Sequence, residues 1–218
     1  MSKIIDGIKY SDNMKKVEET EDQKITSAVI VAGVTEIGWS AFNRCTSLAS
    51  VEFGGTKAQW DAVKGKIYVP ATSVKCADGE WQKPVLLVEA GVAVACLDKS
   101  ATSVEIPAGV TKIDGGAFKN CQSLASVVIP ESITEIDAWT FYDCSSLSSV
   151  EIPSGVTEIG FNAFSGCSSL ESVVIPESVT KIGMSAFYGC KSLSSVEFGG
   201  TMAEWEAVKG KQNLLDVP

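Results

Sequence analysis

The chain predicts a β-rich repeat solenoid of the α/β class, and two observations carry that reading. Cys121, Cys144, Cys167 and Cys190 recur every 23 residues, and Cys45 closes the same A-F-x-x-C-x-S-L pattern. The last apolar residue of a short strand-like run recurs as Ile30, Phe53, Cys76, Ile106, Ile129, Ile152, Ile175 and Phe198, in steps of 23, 23, 30, 23, 23, 23 and 23. A fixed period of this size marks one small unit copied and stacked. Such a unit buries its apolar face only against its neighbours.

Each element follows from the repeat. The run L-x-S-V-x-I/F, here Leu193 to Phe198, is rich in β-branched residues and ends at Pro or Gly, so it reads as a strand. By alternation Leu193, Val196 and Phe198 face inward, and Ser195 and Glu197 outward. The next run, P-x-x-V-T-x-I-G, is a turn and a second extended piece with Val156 and Ile159 inward. The A-F-x-x-C run supplies the far wall. There Phe42, Phe118, Phe141, Phe164 and Phe187 form an aromatic spine beside the cysteines. The step of 30 carries seven extra residues. It reads as a bulged unit or a hairpin near Ala77 to Trp81, because Asp78-Gly79 is a turn signal.

A longer repeat overlies the short one. Val51 to Lys66 returns as Val196 to Lys211 with three substitutions. Thr56 and Thr201 read as helix N-caps and Gly65 and Gly210 as C′ residues. Trp60 with Val63, and Trp205 with Val208, share one face of a short amphipathic helix. The expected organisation is a cap or tail over residues 1–24, the solenoid over 25–200 with an irregular insert at 54–100, and a helix and tail over 201–218 that act as a cap. Ile4, Ile5, Ile8 and Tyr10 are expected to cover the first repeat, and Leu214, Leu215 and Val217 to cover the last strand or to join two copies there.

The unit I-P-x-S-V-T-x-I-G-x-x-A-F-x-G-C-x-S-L-x-S-V resembles the Treponema pallidum-type leucine-rich repeat of BspA-like surface proteins, closely over 25–53 and 101–200. The resemblance implies a leucine-rich repeat right-handed superhelix whose concave side is a parallel sheet of about eight strands. It also implies a protein that binds other proteins or macromolecules. Characterised members usually carry export signals, and the start of this chain, MSKIIDGIKY, lacks the apolar stretch of one. The location expected is therefore cytoplasmic if Met1 is the natural start, and exported or at the cell surface if a signal has been removed.

Composition excludes several classes. Eighteen Lys and Arg against 27 Asp and Glu leave a net charge of −9, which disfavours nucleic acid and anionic membrane surfaces. No apolar run reaches membrane-spanning length, so no membrane insertion is expected. The chain has no His, the commonest general base. Without His or a C-x2-C pair a zinc site is not expected, and no cofactor is implied. The periodic cysteines read as a column of buried, reduced thiols, which favours a reducing compartment. Cys96, in an irregular stretch, takes no role in this reading.

Two outward columns line the expected concave sheet. Serine occupies the first in all eight strands, at 27, 50, 73, 103, 126, 149, 172 and 195. Small side chains there permit close packing and hydrogen bonds along the ladder. Val29, Glu52, Lys75, Glu105, Val128, Glu151, Val174 and Glu197 form the second. As a binding track it suits a protein or peptide ligand. As architecture, its alternation keeps like charges apart on adjacent strands. A third set, Trp39, Trp139, Phe161 and Met184, precedes the A-F pair; it is either an exposed lateral apolar patch or local gap filling. The chain thus reads as a non-enzymatic protein- or peptide-binding repeat protein. The alternatives are an oligomerising module or fragment of a longer array, and a glycoside hydrolase using the Glu column, whose members two strands apart would stand ~9.6 Å from one another.

Overall fold

The computed structural model describes residues 3–5, 8–21, 23–66, 69–71 and 73–214. The chain divides into two compact units, Met1–Lys83 and Pro84–Pro218.

Unit one runs β1 (Lys3–Ile5), β2 (Ile8–Tyr10), β3 (Lys16–Thr20), β4 (Ser27–Ile30), β5 (Glu36–Ile37), β6 (Ser50–Phe53), α1 (Lys57–Asp61), β7 (Ser73–Cys76) and β8 (Gly79–Gln82). Strands β4, β6 and β7 pair in parallel, Ser27 opposite Ser50 and Glu52 opposite Lys75, so the 23-residue step is also the hydrogen-bonding register. The chain reverses at Asp78-Gly79 and β8 pairs antiparallel with β7, so this ladder closes after its third parallel strand. Strands β1 to β3 form an antiparallel meander joined in parallel to β5. Ile8, Tyr10 and Val17 are fully buried in the core of this unit, and the Tyr10 hydroxyl donates to the Val29 carbonyl of β4 (3.2 Å). The cover expected of the Ile4 and Ile5 side chains lies outside the described residues.

Unit two runs β9 (Leu86–Glu89), β10 (Val92–Cys96), β11 (Ser103–Glu105), β12 (Lys112–Ile113), β13 (Ser126–Val128), β14 (Glu135–Ile136), β15 (Ser149–Val150), β16 (Glu158–Ile159), β17 (Ser172–Ile175), β18 (Lys181–Ile182), β19 (Ser195–Phe198) and α2 (Met202–Ala207), ending in a 3-10 turn at Lys211–Leu214. Strands β11, β13 and β15 pair in parallel, as do β17 and β19, and a bridge between Glu151 and Val174 links the two groups. A second layer of short parallel strands, β14–β16–β18, forms from the V-T-x-I-G runs. Hairpin β9–β10 begins the unit, and β10 pairs in parallel with β12. Three of the eight expected strands thus lie in unit one and five in unit two.

The third wall explains the repeat signature. Phe118, Phe141, Phe164 and Phe187 stack nearly parallel, with centroids 5.1, 5.3 and 5.2 Å apart and planes within 18°, 11° and 9°. The backbone at the residue before each of the five cysteines of the A-F-x-x-C runs is left-handed, at Arg44, Asn120, Asp143, Gly166 and Gly189. So is the residue two before each stacked Phe of unit two: Gly116, Trp139, Asn162 and Ser185. Gly and Asn hold five of these nine sites, the residue types that occupy this region at least cost.

The duplicated segments form helices with capping boxes, Thr56 with Gln59 and Thr201 with Glu204. The helices end at Asp61 and Ala207, so Gly65 and Gly210 are not their C′ residues. They lie further on, at φ +74° and +80°, just past the lysines that bridge to the second layer, Lys64 to Glu36 and Lys209 to Lys181. A Cβ on Gly210 would collide with the Ile182 carbonyl oxygen, so close backbone approach requires glycine there.

Candidate binding surface

The sheet face presents the second outward column as expected from alternation. In unit one Val29, Glu52 and Lys75 stand side by side, and the Lys75 ammonium lies 2.8 Å from the Glu52 carboxylate. The hydrogen bond and charge of Glu52 raise the Lys75 pKa. In unit two Glu105 pairs with Val128, and Glu151 and Glu197 flank Val174. Val29, Val128 and Val174 are 45%, 60% and 54% exposed, although valine gains nothing from water there. The serine column is exposed except at Ser73, which is half-buried and donates to Glu80.

The lateral set is not one column. Trp139 lies one position out of register: its equivalents are Asn162 and Ser185, whereas Phe161 and Met184 align with Ala138. It occupies the left-handed site, with φ +56°. From there its ring meets Phe161 edge-on at 5.3 Å, which leaves Phe161 half-buried. The Asn162 amide, oriented by its hydrogen bonds, accepts the Trp139 indole N–H at 3.1 Å. Trp39, in unit one, and Met184 remain exposed. The split follows spacing to the stacked Phe: Trp39, Phe161 and Met184 stand three residues before theirs, and Trp139 two before Phe141.

Sequence reasoning passed over Tyr142 and Tyr188, which sit just after the stacked Phe residues of their rungs. With Ser165, Gly166, Gly189 and Lys191 they line a cleft of about 310 Å³. Recurrence of F-Y, as Phe141-Tyr142 and Phe187-Tyr188, was the available signal. It also missed Cys96, which is buried beside Cys121 at the start of the column. Its 25-residue offset and the missing A-F pair hid it.

All seven cysteines are free and buried. The thiols of Cys144, Cys167 and Cys190 donate to the carbonyls of Phe118, Phe141 and Phe164 at 3.1, 3.2 and 3.2 Å. The neighbouring Cys144 and Cys96 thiols, and the Lys99 ammonium 3.3 Å away, hold the Cys121 thiol below its usual range. Burial pushes Cys190 up to about 12. Among the described residues no group of three acidic, cysteine or histidine side chains is placed to hold a metal ion, and no helix is long and apolar enough to cross a membrane.

A stacked 23-residue unit with one parallel strand per turn and an Leu-x-x-Val-x-Ile face defines a leucine-rich repeat protein. The model of the BspA type leucine rich repeat region matches six copies over residues 6–61 and 94–208, and the chain belongs to that family. Two solved structures are similar. A leucine rich cell surface protein from Faecalibacterium prausnitzii is 27% identical with a TM-score of 0.58, over 86% of this chain and 55% of that one. The pneumococcal vaccine antigen PcpA is 18% identical with a TM-score of 0.56, over 82% of this chain and 52% of that one, and shares the fold. The chain spans about half the length of these structures. No curated protein matches it.

Proposed function

We propose that this chain is a non-enzymatic repeat protein that binds a protein or peptide through its exposed sheet face. The observation that carries this reading is the row Glu105–Val128–Glu151–Val174–Glu197, in which half-exposed to exposed valines alternate with carboxylates on a rigid ladder. Flat strands with a small serine floor let an extended ligand lie close, and concave sheets are the usual binding faces of solenoids. Membership of the family supports the same reading. The likeness to a protein described as a cell surface protein favours a partner met outside the cell. Burial, and a hydrogen bond to a carbonyl, shield the thiols of Cys144, Cys167 and Cys190.

The double variant Val128→Glu with Val174→Glu tests this. Binding to the natural partner, captured on immobilised protein and identified by mass spectrometry, is expected to disappear while the chain stays folded, its melting temperature lowered modestly by the added row of adjacent carboxylates. Normal binding by the double variant would defeat the sheet-face reading and turn attention to Trp39 and Met184, the most exposed members of the lateral set.

A further inference from the structure

The wall that carries the Phe stack has one rung cut back. The residue after each stacked Phe is Lys119, Tyr142, Ser165 and Tyr188, so a serine stands between two tyrosines. Phe141, Phe164 and Phe187 step by 5.3 and 5.2 Å, which puts the tyrosine positions roughly 10 Å from one another. The notch between them is the cleft of about 310 Å³. Tyr142 has one face covered: the Lys119 ammonium of the rung before lies over its ring, 5.3 Å from the centroid. Its other face is turned to the Ser165 rung. Gly166 forms the floor. A Cβ there would lie 3.2 Å from the Asp143 Cα and Oδ1, so glycine keeps the space beside that oxygen open. The Gln122 amide donates to the other carboxylate oxygen, Oδ2, at 2.9 Å. Among the described residues three polar side chains are buried, Thr20, Thr140 and Ser165. The Thr20 hydroxyl bonds the Cys45 thiol at 3.1 Å, and Thr140 donates to the Asp137 carbonyl at 2.8 Å. Ser165 is 5% exposed and lines the notch, and its hydroxyl has no partner among the described residues. A buried hydroxyl is normally hydrogen-bonded, so its partner comes from what fills the notch.

We infer that this notch binds a neutral pyranose sugar, carried as one residue of a glycan. Aromatic walls with a few placed hydroxyl, carboxylate and ammonium groups match a ring that has apolar C–H faces and a rim of hydroxyls. A flat ring in contact with tyrosines on both sides needs about 7–8 Å between them, and a separation of roughly 10 Å adds room for the pucker and axial substituents of a chair. The Ser165 hydroxyl at the floor, Asp143 Oδ1 beside it and the Lys191 ammonium at the rim are the groups that meet the sugar hydroxyls. Asp143 repels an anion and Lys191 a cation, so charge selects a neutral ligand. The site is formed wholly by residues 119–191 and lies on a different wall from the valine row of the sheet face.

The probes are the methyl pyranosides of glucose, galactose, mannose and N-acetylglucosamine, titrated singly into the full chain and followed by saturation-transfer difference NMR. At least one is expected to bind saturably and to receive saturation at its ring C–H protons. Ser165→Tyr repeats the residue that both neighbouring rungs already carry, so the fold should hold while the sugar is excluded and transfer is lost. Tyr188→Ala is expected to weaken binding at least tenfold. Val128→Glu with Val174→Glu should leave it unchanged, which keeps this inference separate from the sheet-face reading. Retention of the chain on an immobilised glycoprotein, abolished by enzymatic removal of its glycans, or on an immobilised polysaccharide tells the two sources of the sugar apart. Transfer to none of the four glycosides, or transfer undiminished in both Ser165→Tyr and Tyr188→Ala, overturns the inference.

Discussion

The Cys144 thiol donates to the carbonyl of Phe118, 26 residues earlier and one rung away, at 3.1 Å. Cys167 and Cys190 repeat the bond to Phe141 and Phe164. Cysteine is therefore more than a small apolar filler here. It adds a second donor to a buried carbonyl that already accepts a backbone N–H of the turn, from Cys121, Cys144 or Cys167, and such a bond contributes about 0.5–1.5 kcal/mol.

Replacing Cys167 by Ala removes both the donor and the sulfur volume. The variant is expected to be destabilised by about 1–3 kcal/mol, read as a lower midpoint in urea unfolding.

The same burial makes stability alkaline-sensitive. An unfolded thiol titrates near 8.5, whereas burial raises Cys190 to about 12. A raised folded pKa gives stability that is fully present below the unfolded value and is lost as pH rises through the folded one. Stability should fall from about pH 8.5 upward, and a Cys190→Ala variant should show a shallower fall in denaturation curves taken at several pH values. Thiol reagents should meanwhile react slowly with the folded chain and rapidly in denaturant.

Phe164 lies between Phe141 and Phe187 in the stack and is fully buried. Phe164→Ala should cost about 3–5 kcal/mol. A loss below about 1 kcal/mol in equilibrium unfolding would show that the stack does not bear on stability.

Ser185 has φ +56° at the site where Gly116 stands in an earlier rung. Ser185→Gly should raise the melting temperature, by relief of about 1 kcal/mol of backbone strain. Gly166→Ala should lower it, since φ is +80° and the added Cβ would lie 3.2 Å from the Asp143 Cα.

Glu204 behaves oppositely to the thiols. The Thr201 backbone N–H and hydroxyl both donate to it, and this lowers its pKa. A lowered folded pKa gives stability present above the unfolded value and lost as pH falls, so the α2 cap should loosen in acid. Glu204→Gln should remove the effect, and Thr201→Ala, which keeps the backbone donor, should only weaken it, read by hydrogen exchange of the α2 amides from acid to neutral pH.

Much of this molecule was written in its spacing. The period of 23, the eight strands, the inward Val156 and Ile159, the Phe and Cys columns and the helix caps at Thr56 and Thr201 all follow from side-chain periodicity and cap chemistry, which are local in the chain. The outward column of Val29 through Glu197 was legible for the same reason: alternation along a strand places side chains without reference to distant residues. Tertiary structure decided the rest. Trp139 stands one residue out of the column of Phe161 and Met184 and packs edge-on against Phe161 of the next rung, a contact that spacing does not show. Cys96 joined the cysteines through a hairpin whose length breaks the period. Identical segments became a buried Trp60 and a half-open Trp205, because burial depends on the strand next door, and that neighbour is not encoded in the segment itself.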